Sequence, residues 1–303
     1  MPSTNNPVLP TQAQALSEPT SIALANLVQR VEIATPLTPK SLPTTYALAG
    51  KGEAPLMLLH GFDSSLLEFR RLWPHLAPHR QTWALDLLGF GFSDRRLSPS
   101  LSPAAIKTHL YSFWQQQIGQ PMVLIGASMG GAAAIDFALT HPQAIAALVL
   151  IDSAGFATGP AMEKIMVPPF DRLATSFLRQ PWVRRRISRQ AYYDGARVTP
   201  DAELCAALHL ECPDWQQGLI RFTQSGGYTF LADQIPQITS PTLVIWGEQD
   251  RILGRQDARR FHQAIAASQL VWIPQAGHVP HLEQPEVVAT AIVNFIDSLE
   301  ARD

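Results

Sequence analysis

The pentapeptide Gly126-Ala127-Ser128-Met129-Gly130 lies between the apolar run Met122-Val123-Leu124-Ile125 and the helix-prone Gly131-Ala132-Ala133-Ala134-Ile135. No other stretch limits so narrowly what the chain can fold into. A serine between glycines at a strand-to-helix junction has the pattern of a nucleophile elbow. That turn is so sharp that residues without a Cβ are needed beside the neighbouring strand and helix. It lifts the serine hydroxyl clear of the backbone at the end of a strand. A glycine-rich connection without chemistry can carry the same five letters, so the rest of the chain decides between the two readings.

Short apolar runs at 45–48, 56–59, 82–85, 122–125, 148–151, 243–246 and 270–273 alternate with helix-like segments at 103–118, 129–140, 256–266 and 285–299. Runs that are apolar on both faces predict a mainly parallel central sheet flanked by helices, an α/β architecture. The alternation stops between 156 and 240, where proline, aromatic and charged residues rise; a mostly helical cap inserted into the core explains the break. The chain therefore divides into a loose N-terminal arm (1–28), a core (29–155 and 241–303) and a cap (156–240). One short helix is expected around 22–31. At 303 residues the chain is long enough to bury the core of one large domain with an insertion.

Lys and Arg number 23 against 25 Asp and Glu, a net charge of −2 that lacks the basic surplus of nucleic-acid binding. The first twenty residues have neither the basic start nor the apolar centre of a secretory signal, so no signal peptide and an intracellular location are expected. No run approaches the ~18 uninterrupted apolar residues that a membrane span requires. The two cysteines, Cys205 and Cys212, would lie roughly 10 Å apart on a helix rising ~1.5 Å per residue, beyond the reach of a disulfide. Two free thiols suit a reducing compartment, and neither has a metal-ligand partner at motif spacing. Neither a metal nor any other cofactor is expected.

A serine hydroxyl is a weak nucleophile near neutral pH and needs a base, and the base needs a group to orient it. Asp250, in Leu243-Val244-Ile245-Trp246-Gly247-Glu248-Gln249-Asp250, and His278, in Pro274-Gln275-Ala276-Gly277-His278, each follow an apolar strand. The chain order Ser128, Asp250, His278 is the one found where a serine elbow tops a parallel sheet. Asp152, which also ends a strand, and Glu248 are alternative acids; His281 is an alternative base, and His60 reads as a structural hydrogen-bonding residue. Attack on a carbonyl creates an oxyanion that backbone N–H groups can stabilise. Met129, just after the serine, and Phe62, in His60-Gly61-Phe62 after strand 56–59, are placed to donate. The loop Asp86-Leu87-Leu88-Gly89-Phe90-Gly91-Phe92 lacks the spacing and the lysine of a phosphate loop. It reads as a turn that brings Phe90 and Phe92 toward the substrate pocket, where Phe156 and Trp182 of the cap would join them.

With these residues in place the chain resembles the α/β-hydrolase family over roughly residues 45–300. The resemblance implies a Ser-His-Asp mechanism without cofactor and a cap inserted after the sixth strand. A narrower resemblance rests on His60-Gly61-Phe62-Asp63-Ser64-Ser65-Leu66-Leu67-Glu68-Phe69-Arg70 and on Thr82-Trp83-Ala84-Leu85-Asp86-Leu87-Leu88-Gly89-Phe90-Gly91-Phe92-Ser93-Asp94. These stretches look like the chlorophyll dephytylase group of plants and cyanobacteria, whose activity is hydrolysis of the phytyl ester of chlorophyll to chlorophyllide and phytol. The chain departs from that group at the elbow, where Ala127 and Met129 replace Pro or Asn and Leu; the departure bears on pocket shape more than on mechanism.

The expected partner is thus a small hydrophobic ester. Two other readings stay open: a carbon–carbon bond hydrolase of ring-cleavage products, and a non-catalytic member of the fold that binds a small ligand. Between 172 and 197 the cap carries Arg172, Arg179, Arg184, Arg185, Arg186, Arg189 and Arg197 against the single acid Asp194, interleaved with Phe177, Trp182 and Ile187. Such a segment suits either peripheral contact with an anionic membrane or a solvated cap helix closing the site.

Overall fold

The computed structural model describes residues 4–96, 98, 100–156 and 166–301. Eight strands form one sheet in the order β1-β2-β4-β3-β5-β6-β7-β8: β1 (Val28–Thr35), β2 (Thr38–Ala49), β3 (Leu56–Leu59), β4 (Thr82–Leu85), β5 (Met122–Ala127), β6 (Ile145–Ile151), β7 (Thr242–Gly247) and β8 (Ser268–Ile273). From β4 to β8 every pairing is parallel, while β1–β2 and β2–β4 are antiparallel. Helices α1 (Pro19–Asn26), α2 (Trp73–Leu76), α3 (Pro103–Gln117) and α4 (Met129–Thr140) precede the cap. The cap contributes α5 (Phe170–Leu178), α6 (Pro181–Ala191), α7 (Pro200–Cys205) and α8 (Trp215–Gln224), and α9 (Gln256–Ala264), α10 (Pro280–Glu283) and α11 (Pro285–Glu300) complete the core.

Strand alternation divides the apolar side chains between two faces. Met57, Leu59, Leu124, Leu148 and Val244 pack with α3, α4 and α9, while Leu58, Ile125, Val149 and Ile245 pack with α1, α2 and α11. Both faces are dry, which is why the central runs carry no polar alternation.

Three expectations are corrected. The helix around 22–31 ends at Asn26, because the β-branched Val28, Val31 and Ile33 enter β1 and pair with β2, Val28 opposite Ala47 and Ile33 opposite Leu42. The arm is not loose. Leu9, Ala13, Leu16, Ile22, Leu24 and Ala25 are buried in the same cluster as α11, and Asp201 of α7 accepts from Ser17 N (2.5 Å), Glu18 N (2.9 Å) and Ser21 Oγ (2.5 Å). Glu18 in turn meets Arg71 at 2.7 Å. The segment between the two cysteines is not one helix either, since α7 ends at Cys205 and a separate 3-10 turn spans Leu208–Glu211; both thiols are free.

The described residues of the cap form helices joined by turns and irregular stretches; the part of it at 157–165 lies outside them. Among the described residues, no helix is long and apolar enough to cross a membrane.

Candidate active site

Ser128 sits at the end of β5 with φ 52° and ψ −117°, a left-handed conformation that costs a non-glycine residue roughly 1–3 kcal/mol. Its surroundings hold it there. A Cβ on Gly126 would collide with the carbonyl of Gly130, and a Cβ on Gly130 with the carbonyls of Leu59 and His60. The elbow is therefore wedged against the end of β3, and a Cβ on Gly61 would lie 3.4 Å from that of Ser128. Ser128 N donates to Ile151 O at 3.0 Å, and Gly131 N donates back to Ser128 O at 3.0 Å, which fixes the turn from both sides.

Three strand ends bring the other groups to the same edge. His278 Nε2 lies 2.9 Å from Ser128 Oγ, and His278 Nδ1 lies 3.0 Å from Asp250 Oδ2. The other Asp250 oxygen accepts from Ile252 N (2.7 Å) and Leu253 N (3.1 Å), so the carboxylate cannot rotate away from the ring. Burial pushes the Asp250 carboxyl up, but the hydrogen bond and charge of His278, with the two amides, outweigh it and hold the group below its ordinary range. An imidazole held between a hydroxyl and an ionised carboxylate can take a proton at Nε2 while the charge it gains is balanced at Nδ1. His278 is also tied to the cap, since its N–H donates to Ala191 O at 2.7 Å.

Asp152 is the second acid of the site. Fully buried after β6 at φ 39°, it accepts from Gly247 N at 3.1 and 3.3 Å. Burial, then the neighbouring Asp250 charge, raises its carboxyl well above the ordinary value. The shift favours the protonated form of Asp152, whereas His278 and the two amides favour the ionised form of Asp250. Asp152, Asp250 and His278 place possible ligand atoms within 4.8 Å of one another. That donor set fits a proton relay better than a cation: each His278 ring nitrogen already faces Asp250 or Ser128, and Asp152 already accepts from Gly247 N.

Phe62 N and Met129 N, the two expected oxyanion donors, give no hydrogen bond to protein among the described residues. Their loop and elbow touch at Gly61 and Gly130. His60 closes the base of this loop: Nδ1 is 2.8 Å from Gly61 O and Nε2 accepts from Leu87 N at 3.2 Å, which assigns the proton to Nδ1. Burial lowers this ring to about 4, so it stays neutral. His281 faces Glu68 at 3.2 Å, away from Ser128, and Glu68 accepts from Gly61 N at 2.9 Å.

Ser128 and His278 open onto a cavity of about 290 Å³ walled by Phe62, Leu178, Ile187, Tyr192, Ile252 and Leu282. None of the four aromatic residues expected in the pocket lines it. Phe90 is buried behind Phe62 and Phe222, with ring centroids 6.1 and 5.0 Å away, so it supports the wall from the core. Phe92 turns into the cluster beneath the sheet because Asp86 captures its amide at 2.8 Å. Phe156 packs on Phe261 under Arg260, and Trp182 stands in solvent against Phe177.

Asp63 is the residue that motif reading did not assign. It lies one position after Phe62 at φ 48° and is buried, and three cap residues converge on its carboxylate. Trp215 Nε1 (2.8 Å) and His209 Nε2 (3.1 Å) meet Oδ1, and Arg184 Nη1 (2.6 Å) meets Oδ2. Burial would raise the carboxyl, but His209, Arg184 and Trp215 overcome that and drive it far below the ordinary range. An aspartate beside an expected oxyanion donor, together with an arginine and a tryptophan in the cap, was the available signal.

The alpha/beta hydrolase family model matches residues 56–291. The alpha/beta hydrolase domain-containing protein VTE7 of Arabidopsis thaliana is 31% identical over 295 residues, covering 95% of this chain and 89% of that one. The 2-hydroxy-6-oxo-6-(2'-aminophenyl)hexa-2,4-dienoic acid hydrolase of Metapseudomonas resinovorans is 27% identical over 268 residues, 84% of this chain and 87% of its own. Among solved structures, a thermophilic esterase from Thermogutta terrifontis superposes with a TM-score of 0.76 at 26% identity, covering 89% of this chain and 99% of that one.

Proposed function

The chain belongs to the α/β-hydrolase family, and from that premise we propose that it cleaves a carboxylic ester through an acyl-enzyme, with the phytyl ester of chlorophyll as substrate. The observation that carries the reading is the unbroken contact from Ser128 Oγ through His278 to Asp250, at 2.9 and 3.0 Å. Ser128 Oγ attacks the ester carbonyl and passes its proton to His278 Nε2. Phe62 N and Met129 N donate to the oxyanion that forms. As the tetrahedral intermediate collapses, His278 returns the proton to the departing alcohol, and the acyl group remains on Ser128. Water then attacks the acyl-enzyme, gives its proton to His278 and releases the acid; the proton passes back to Ser128 Oγ.

The lining of the cavity supports an ester with an apolar part, and its size limits how much of that part it can enclose. The cavity wall is mainly apolar, and its volume of about 290 Å³ lies at the low end of the roughly 300–1,000 Å³ of small-molecule pockets. A phytylated pigment exceeds it, so one half of such a substrate extends past the cap edge. The resemblance in residues 60–70 to the dephytylase group supplies the choice of ester. A carbon–carbon bond hydrolase remains the second reading, favoured by the dienoic acid hydrolase relative, because the same serine and base can act on a ketone.

Incubation with chlorophyll a is expected to yield chlorophyllide and phytol, with Ser128→Ala lowering turnover by at least about 10³-fold. Turnover of dienoic acids with none of phytylated pigments would replace the first reading by the second. Failure of a fluorophosphonate probe to label Ser128 would instead point to a ligand-binding protein without catalysis.

A further inference from the structure

Helix α5 is built the wrong way round for a helix of a soluble core. Its buried residues are Asp171 and Thr175, whereas Phe170, Leu173 and Phe177, which share one face at i, i+3 and i+7, are 62%, 62% and 52% exposed. Thr175 is held inward by Gln216 of α8, whose Nε2 donates to its hydroxyl at 2.9 Å, so the polar side is the packed side. Trp182 of α6 extends the apolar face: it is 58% exposed and stands edge-on to Phe177 at 5.4 Å. Four large apolar side chains on adjacent turns form a contiguous patch of the kind that marks an interaction surface.

The charge around the patch identifies what covers it. Of the six arginines on α5, α6 and their connection, Arg179 pairs with Glu211, Arg184 with Asp63 and Arg185 with Glu203. Arg172, Arg186 and Arg189 are exposed and form no ion pair among the described residues. An apolar face rimmed by exposed guanidinium groups complements a surface with phosphate outside and hydrocarbon beneath. A second copy of the chain would bring the same cations face to face, which argues against a dimer through this patch.

We propose that the α5–α6 hairpin is a docking surface for an anionic phospholipid membrane. Phe170, Leu173, Phe177 and Trp182 enter the headgroup boundary while Arg172, Arg186 and Arg189 hold lipid phosphates. Leu178 and Ile187 of the same hairpin line the cavity over Ser128, so docking turns the cavity mouth toward the lipid. This inference stands on the surface alone and does not depend on which bond the site cleaves.

The test uses the full-length protein with vesicles of phosphatidylcholine alone or mixed with phosphatidylglycerol, read by co-flotation and by tryptophan fluorescence. Flotation with the mixed vesicles and a blue shift absent from Trp182→Phe are expected. The triple substitution Arg172→Gln, Arg186→Gln, Arg189→Gln is expected to weaken binding about 100-fold, at ~1 kcal/mol per arginine. Phe170→Ser, Leu173→Ser, Phe177→Ser together should abolish it. All six positions are exposed and outside the cavity, so hydrolysis of a water-soluble short-chain ester should be unchanged in both triple variants. The proposal is overturned if wild-type protein floats with neither vesicle or equally with both. It also fails if the apolar triple variant converts a dimer in solution to a monomer, which would mean that a second copy covers the face.

Discussion

The two sides of the cavity are held by opposite means. On the elbow side, at Gly126 and Gly130, backbone lies against backbone, and the acid beside Asp250, Asp152, is pushed toward its neutral form by burial and by the Asp250 charge. On the cap side a single ionised carboxylate, Asp63, gathers an arginine, a histidine and a tryptophan from three separate cap elements. Steric contact fixes the backbone around Ser128 and has no dependence on charge. Ionic contact holds Asp63, and it ties the placement of the neighbouring Phe62 to the docking of the cap. The contrast separates what should tolerate no added atom from what should tolerate no lost charge.

The sharpest way to break it is Gly130→Ala. The added Cβ has no room beside the Leu59 and His60 carbonyls, both of them backbone, so the expected loss exceeds about 4 kcal/mol and little folded protein should be recovered. Near-normal thermal stability of that variant would show that the elbow relaxes, and the steric half of the contrast would be lost.

Next in size is Asp63→Ala, which leaves Arg184 and His209 facing an empty site and is expected to cost about 3–5 kcal/mol. Any folded fraction should show kcat reduced roughly 10²-fold with KM little changed, the signature of a displaced oxyanion donor rather than of lost binding. A rise in KM alone would restrict Asp63 to holding the cap.

A smaller effect follows from pH. Burial lowers His60 and His109 to about 4 and raises Asp86 to about 7. Between pH 4 and about 6.5 the unfolded histidines bind protons that the folded ones do not, so stability gains as pH rises. In the same range the folded Asp86 and Asp152 hold protons that the unfolded acids release, and stability falls. Above 6.5 the histidines are neutral in both states and the acids alone act. The unfolding free energy is therefore expected to fall by about 1 kcal/mol or more from pH 6.5 to 8.5, as the folded Asp86 loses its proton. Denaturant midpoints at the two pH values measure this, and an increase would mean that the acids are ionised in the native protein.

The smallest change is expected for Asp152→Asn. If Asp152 is a neutral hydrogen-bonding group, the amide replaces it with turnover altered by no more than about threefold. Asp250→Asn, in contrast, should cost on the order of 10⁴ in kcat by upsetting the tautomer of His278. Comparable losses in the two variants would make both carboxylates part of the charge relay.

The central strands were legible because they are buried on both faces: 56–59 and 82–85 coincide with β3 and β4, and 129–140 coincides with α4. The strand ends then placed Ser128, Asp250 and His278 along one sheet edge, and the contacts between them needed no long-range information beyond chain order. β1 was missed because Val28, Val31 and Ile33 fit a helical as well as an extended pattern, and the partner that decides, β2, pairs through backbone hydrogen bonds that carry no sequence signal. The pocket aromatics failed for a related reason. Phe92 follows a turn whose direction depends on the Asp86 carboxylate, and Trp182 stands in the first turn of α6, where Val183 is the side chain that packs inward and the indole is left facing solvent. Asp63 was visible only as a letter in a motif, because its partners lie more than a hundred residues away.

The contact between Ser17 and Asp201 joins positions 184 residues apart, and its consequence is one of timing. Closing so long a loop carries an entropic cost that local contacts do not, so sheet strands and their adjoining helices have the advantage in forming first. During synthesis the first twenty residues must wait for some two hundred to emerge before Asp201 exists to receive them. The arm can meet Ala25, Val28 and Arg71 early, through Asn6 and Glu18, but its fastening to the cap through Asp201 is among the last contacts to form.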